Sequence, residues 1–335
     1  MSSAVFLEAY LAPLAPWLGR DDVSDLLINR PGEVWIETTQ GAMTCAPAPQ
    51  MTEMTLLRLA RQIAASSHQG VNREHPLLSA TLPTGARVQI IMPPATRGGV
   101  AMAVRNHVIS DFTVDDLAGS GLFAQSRPDD PQSRAHDQDH LASLLECGDV
   151  QAFLKLAVRL RKTIVISGGT SSGKTPLLNA LIKEIDRDER LIVIEDAPEI
   201  RLDHPNAVGL VAVRGDQGEA QVDADDLLRA SLRMRPDRIL LGELRGAEAF
   251  AFLRAVNSGH PGSITTIHAD SPEGAIDQIA LLAMTSGLDL GWSKIQVYVR
   301  RVIDVIVQLD RRAGKRRVAE VLFLSGPAGS AVAQS

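Results

Sequence analysis

The chain has 335 residues, 45% of them hydrophobic and 22% charged, with a formal net charge of −6. That length exceeds one average domain and supplies apolar material for two cores, while the acidic balance excludes a global positive field for gripping nucleic acid. No window approaches the ~20 uninterrupted apolar residues of a spanning helix, so any membrane contact is expected to be peripheral.

Residues 1–18 carry apolar side chains but no basic start or cleavage site, and Pro13 and Pro16 interrupt them, so a signal peptide is not expected. Residues 24–29, then 33–38 across a Pro-Gly turn, then 87–92 and 100–105, read as short strands, and residues 54–65 have helical spacing. Residues 1–110 are thus expected to form a small mixed α/β domain. Cys45 and Cys147 are the only cysteines and lack metal-ligand spacing, which excludes a zinc module and implies reduced thiols. Residues 126–140 are nearly devoid of apolar groups and hold two prolines, so residues 111–149 read as a linker.

Beyond residue 150 the rhythm changes. Apolar runs at 163–166, 191–194, 208–213, 239–241 and 263–267 alternate with helical patterns, which implies a mostly parallel sheet covered on both faces. Runs at 302–309 and 317–323 close this second domain, 150–325. Arg311, Arg312, Lys315, Arg316 and Arg317 surround Gly314 and read as a solvated hairpin tip. The small, polar residues 326–335 are expected to fray.

Gly168, Gly169, Thr170, Ser171, Ser172, Gly173, Lys174 and Thr175 match G-x-x-x-x-G-K-[ST] between a predicted strand and a predicted helix. Glycines let backbone N–H groups converge on phosphate oxygens, and the helix N-terminus adds its positive end. Lys174 then reaches the β- and γ-phosphates of ATP, and Thr175 offers its hydroxyl to Mg²⁺. Downstream, Glu195 and Asp196 end one predicted strand, Glu243 ends another, and His268 ends a third, all placed to order water or charge at the same sheet edge. Each of these side chains alone could equally be a cap or a structural group, as could His260 beside its turn.

With these motifs in order, the chain resembles the hexameric secretion ATPases of the type IV secretion and conjugative-transfer branch, within the type II and type IV traffic ATPase superfamily. The resemblance covers nearly the whole chain. It rests on the cradle, the acidic box from Ile194 through Glu195, Asp196 and Glu199, the stretch at 232–249 containing Arg235 and Glu243, and a histidine box at 259–271. Asn29 to Trp35 and residues 73–80 look like the conjugation branch. Only two cysteines are present, too few for the four-cysteine insert usual in type II secretion members, and the pilus-retraction C-terminal motif is missing. Pro176, directly after the cradle, departs from the family pattern.

The resemblance implies a RecA-like P-loop core with a smaller α/β domain that roofs the nucleotide and lends Arg87 and Arg105 to its phosphates, with Arg235 nearby. It also implies catalytic roles for Glu243, Lys174, Glu195, Asp196, Glu199 and His268, nucleotide contact by His260, and ATP with Mg²⁺ as ligands. A ring of six at the cytoplasmic face of a bacterial inner membrane is expected, bound to secretion proteins, powering substrate export or pilus assembly. The rival class is a RecA-like helicase or packaging motor acting directly on DNA. Its stacking aromatics are scarce at 4% of the chain, so direct nucleic-acid binding is not expected to be obligatory. A nucleotide switch is a third reading.

Overall fold

Half-buried segments broken by tight turns build an antiparallel sheet in the first part of the chain, and continuous apolar runs build a parallel one in the second. The computed structural model describes residues 2–106, 113–119, 121, 123–124, 131–213, 218–287, 290–325 and 331–333. The first part comprises α1 (Ser2–Leu11), a 3-10 turn (Ala12–Leu14), α2 (Ala15–Leu18), β1 (Val23–Ile28), β2 (Gly32–Thr38), β3 (Met43–Ala48), α3 (Glu53–Ser66), β4 (Leu77–Thr81), β5 (Arg87–Ile91) and β6 (Ala101–Arg105). After α4 (Val114–Gly119) come α5 (Pro131–Glu146), α6 (Val150–Arg159), β7 (Ile164–Gly168), α7 (Lys174–Ile182), β8 (Leu191–Glu195), β9 (Ala207–Val211), α8 (Ala224–Ser231) and β10 (Arg238–Leu241). The chain continues through α9 (Glu248–Asn257), β11 (Ile264–Ile267), α10 (Pro272–Met284), α11 (Trp292–Val302), β12 (Val305–Arg312), β13 (Lys315–Phe323) and β14 (Ala331–Ala333).

The first sheet has the order β3-β2-β1-β6-β5-β4. Val23, Leu26 and Ile28 of β1 share a core with Leu56, Leu59 and Ile63 of α3, while Leu27 points into the cluster that holds Leu210 and Met234 of the second part. Alternation along β1 therefore fastens one face to its own helix and the other to the rest of the molecule. Thr52 starts α3 by accepting the Thr55 N–H at 3.2 Å.

The second sheet has the order β14-β13-β12-β7-β11-β10-β8-β9, parallel from β12 to β9 with β13 and β14 antiparallel at one end. Every residue of β7, β8, β10 and β11 is buried, as helices on both faces require. Parallel pairing brings Gly168, Glu195, Leu241 and Ile267 to one edge. The starts of the same strands lie at the opposite edge, about 15 Å away at ~3.3 Å per residue. This is a RecA-like α/β core preceded by a smaller mixed α/β sheet.

Several elements differ from the sequence reading. Within the expected linker, α5 runs through Pro131–Glu146 and buries Leu141 and Leu145 beside Phe153, so its apolar end belongs to the second core while its polar start conceals the helix in the sequence. The same span holds α4, while its residues 111–112, 120, 122 and 125–130, with 107–110 before it, lie outside the described residues. In the tail expected to fray, Ala331–Ala333 pairs with Glu320, Val321 and Leu322; residues 326–330 and 334–335 lie outside the described residues. The opening stretch forms helices that bury Leu7 and Leu14. Strand β3 escaped notice because it contains Pro47, which an edge strand tolerates. Cys45 and Cys147 are both free and exposed.

Candidate active site

Strand β7 ends in Gly168, where a Cβ would lie 2.5 Å from Ser172 Oγ and 2.7 Å from the Leu309 carbonyl, so only glycine lets the chain turn there. The loop passes through Ser171 (φ 60°) and Gly173 (φ 104°) into α7. The first turn of α7 leaves the N–H groups of Lys174 and Thr175 without intrahelical partners, facing a cavity of about 540 Å³. The acidic box, Gly242, Glu243, Thr266 and His268 line its other walls.

Lys174 Nζ donates to the carbonyl oxygens of Gly168 (2.8 Å) and Gly169 (3.3 Å) and lies 3.4 Å from both His268 ring nitrogens. Burial pushes the Lys174 ammonium below its ordinary value, and Glu243 opposes that shift. Thr175 Oγ1 donates to Glu199 Oε2 at 3.1 Å. Glu243 sits between two partners, with Oε1 2.7 Å from His268 Nε2 and Oε2 accepting from Arg245 Nε at 2.6 Å.

The loop carrying Glu243 is pinned from both sides. Gly242 donates its N–H to the Ile194 carbonyl (2.8 Å), Thr266 Oγ1 donates to the Gly242 carbonyl (2.7 Å), and Glu248 Oε1 accepts the N–H groups of Arg245 (2.6 Å) and Gly246 (2.7 Å). These bonds fix the carboxylate of Glu243 relative to Lys174 without involving the carboxylate itself.

Not every expected residue keeps its role. Glu195 reaches the cavity, but Oε1 accepts the N–H groups of Glu199 (2.9 Å) and Ile200 (2.8 Å), and Arg97 pairs with Oε2. Its carboxylate is occupied in shaping the acidic loop. Asp196 lines the same cavity, 3.9 Å from Arg245. His260 precedes β11 at the opposite edge, with Nδ1 3.0 Å from the Pro236 carbonyl, so this subunit does not bring it to the cradle.

Arg87, Arg105 and Arg235 are also separated from their own cradle. Arg235 precedes β10 and pairs with Glu37 and Asp237; Arg105 Nε donates to Asp25 at 3.1 Å; both line, with Arg87 and Arg233, a second cavity of about 370 Å³. Arg87 and Arg105 face each other across β5 and β6. Like charges directly opposite in a ladder are unfavourable, and Arg87 forms no ion pair among the described residues.

Sequence reading missed Arg97, Arg245, Glu248 and Arg316. Arg245 and Glu248 stand inside the 232–249 motif without having been given a role, and Arg97 follows a strand in an unremarkable Thr-Arg-Gly-Gly turn. Arg316 was assigned to a solvated hairpin tip; the hairpin exists, but Arg316 Nε donates to the Ser171 carbonyl at 3.1 Å and lines the cradle cavity.

The cradle suits a polyphosphate. A lysine rests on loop carbonyls, helix N–H groups are open, and Ser172 Oγ is buried with no partner. With the Glu243 carboxylate opposite, the fold and site define a P-loop nucleoside triphosphatase.

Residues 8–334 match the type II/IV secretion system protein family. The type IV secretion system protein VirB11 of Bartonella quintana (strain Toulouse) is 40% identical over 93% of this chain and 91% of its own length. The PtlH homolog of Bordetella bronchiseptica, also a type IV secretion system protein, is 39% identical over 96% of each chain. The crystal structure of the VirB11 ATPase from the Brucella suis type IV secretion system, in complex with sulphate, superposes with a TM-score of 0.88 at 37% identity, covering 96% of this chain and 95% of that one. The chain belongs to the type II/IV secretion system protein family, and it is an ATP-hydrolysing secretion motor of the type IV kind.

Proposed function

We propose that the chain hydrolyses Mg·ATP as one subunit of a ring, with residues 1–110 capping the nucleotide and residues 150–325 forming the motor. The carrying observation is the convergence of Lys174, Thr175–Glu199 and Glu243–His268 on one cavity at the C-terminal edge of a parallel sheet. Lys174 exchanges its carbonyl partners for the β- and γ-phosphates, while Glu243, held by His268 and Arg245, orients the attacking water. Mg²⁺, when bound at the Thr175 hydroxyl, supplies charge neutralisation to the phosphates. Glu199 and Asp196 are placed to order its water shell.

The roofing arginines act between subunits in this reading. Arg87, Arg105 and Arg235 gather at the edge opposite their own cradle, and this like-charged cluster, in which Arg87 has no ion pair among the described residues, suits the phosphates of a neighbour's nucleotide. A heterologous contact of that kind closes into a ring, for which six subunits is the expectation. The expected position is the cytoplasmic face of a bacterial inner membrane beside other secretion proteins; among the described residues no helix is long and apolar enough to cross a membrane.

Turnover measured with and without single-stranded DNA, beside the mass of the assembled particle, tests the proposal. DNA-independent hydrolysis by a hexamer-sized particle is expected. A monomer whose turnover requires DNA would favour the nucleic-acid motor instead.

A further inference from the structure

We propose that Arg316, at the tip of the β12–β13 hairpin, binds the nucleotide and supplies the α-phosphate contact that Pro176 withholds. The inference rests on the cradle's being the nucleotide site. Backbone N–H groups of a P-loop and its helix serve the α- and β-phosphates. Here α7 begins at Lys174, and Pro176 occupies its third position. Proline fits there because no intrahelical bond is lost, yet it removes one of the N–H groups that could face the ligand.

Arg316 arrives at the same loop, 145 residues beyond Ser171 in sequence. Its Nε donates to the Ser171 carbonyl at 3.1 Å, its Cδ would be 3.2 Å from a Cβ on Gly173, and it lines the cavity that Pro176 also lines. The neighbouring cations of the hairpin do not share this placement. Arg317 turns to Asp310, with bonds of 2.9 and 3.0 Å, and Arg311 Nε donates to the Gly314 carbonyl at 3.4 Å. Arg316 has no carboxylate partner among the described residues, and both its Nη groups are unbonded. Those two groups form the planar fork that matches a phosphate. A cation anchored by Nε to the loop, with its fork open beside a helix start that lacks one donor, has the position and chemistry to replace that donor.

Calorimetric titration of ADP into the assembled protein tests this. Arg316→Ala is expected to weaken ADP binding about 5- to 30-fold, the value of a charge-assisted hydrogen bond partly replaced by water. Arg316→Lys should recover part of the loss, and Arg317→Ala should bind as the parent does. If Arg316 and a residue-176 N–H serve the same phosphate, the two are redundant. Pro176→Thr alone should then change affinity by less than about 2-fold, while in the Arg316→Ala background it should tighten binding several-fold. The apo melting temperatures identify any variant with fold damage. ADP affinity of Arg316→Ala within 2-fold of the parent, or equal effects of Pro176→Thr in both backgrounds, overturns the proposal. Lys174→Ala separates the two levels: if it too binds ADP normally, the cradle assignment itself has failed.

Discussion

At Glu243 one carboxylate lies between His268 and Arg245 while the loop around it is fixed independently. Glu243→Gln keeps the shape and removes the base, so Mg·ATP binding should persist while single-turnover hydrolysis falls by about 10²- to 10⁴-fold. A rate within a few-fold of the parent would refute the role. Lys174→Ala should leave the apo protein folded, since Nζ contacts only loop carbonyls and the His268 ring beside the cavity, but abolish the ATP-induced rise in melting temperature. An unchanged shift would remove Lys174 from the phosphate site. Both residues were legible in the sequence because chemistry there is tied to a spacing and to a strand end. Glu195 ends a strand beside the cradle by the same rule, yet its carboxylate bonds the backbone of the loop that follows it. Arg97, nearly a hundred residues earlier, pairs with the other oxygen of that carboxylate from outside the motif.

The elements behind the cradle were read from period and burial, and those signals worked where packing is uniform. The parallel strands β7, β8, β10 and β11 are buried throughout, and the apolar residues at their centres or ends make them legible as short runs. Helix α5 is hidden because its first turns are polar and its packing shows only in the last turns, at Leu141, Leu144 and Leu145. A different element-scale device, invisible to periodicity, sits at the start of α9. Glu248 is 8% exposed and accepts two backbone N–H groups of the loop that presents Glu243. Glu248→Ala leaves both donors without their partner, at a cost of about 1–3 kcal/mol each, and frees the loop to drift. The expected result is a lower melting temperature and a kcat reduced about 10-fold or more at nearly unchanged KM for ATP, with Glu248→Gln recovering most of the rate through its amide oxygen. A merely structural role would lower the melting temperature without moving kcat at temperatures where the protein is fully folded.

Across the whole molecule the two sheets are locked together by polar contacts at the edge away from the cradle. Arg190 is fully buried, donating to Asn29 Oδ1 (2.6 Å), Asn206 Oδ1 (2.6 Å) and the Met234 carbonyl (2.8 Å). Burial pushes its guanidinium down to about 9, still charged at neutral pH. Arg235 adds its pairing with Glu37. This anchoring holds Arg87 and Arg105 about one strand length from their own cradle, so a role for them in hydrolysis requires a neighbour. Complementation decides the matter. Protein carrying Glu243→Gln has intact arginines, and protein carrying Arg87→Ala with Arg105→Ala has an intact Glu243; each alone should hydrolyse ATP poorly. In randomly mixed rings, contacts between adjacent subunits should restore about a quarter of the sites at a 1:1 ratio, since each active site needs one subunit of each kind in the right order. Recovery should rise and fall with the mixing ratio and be greatest near equality. If the arginines served their own cradle, no mixed ring would contain a complete site, and activity would stay at the sum of the two defective parents at every ratio.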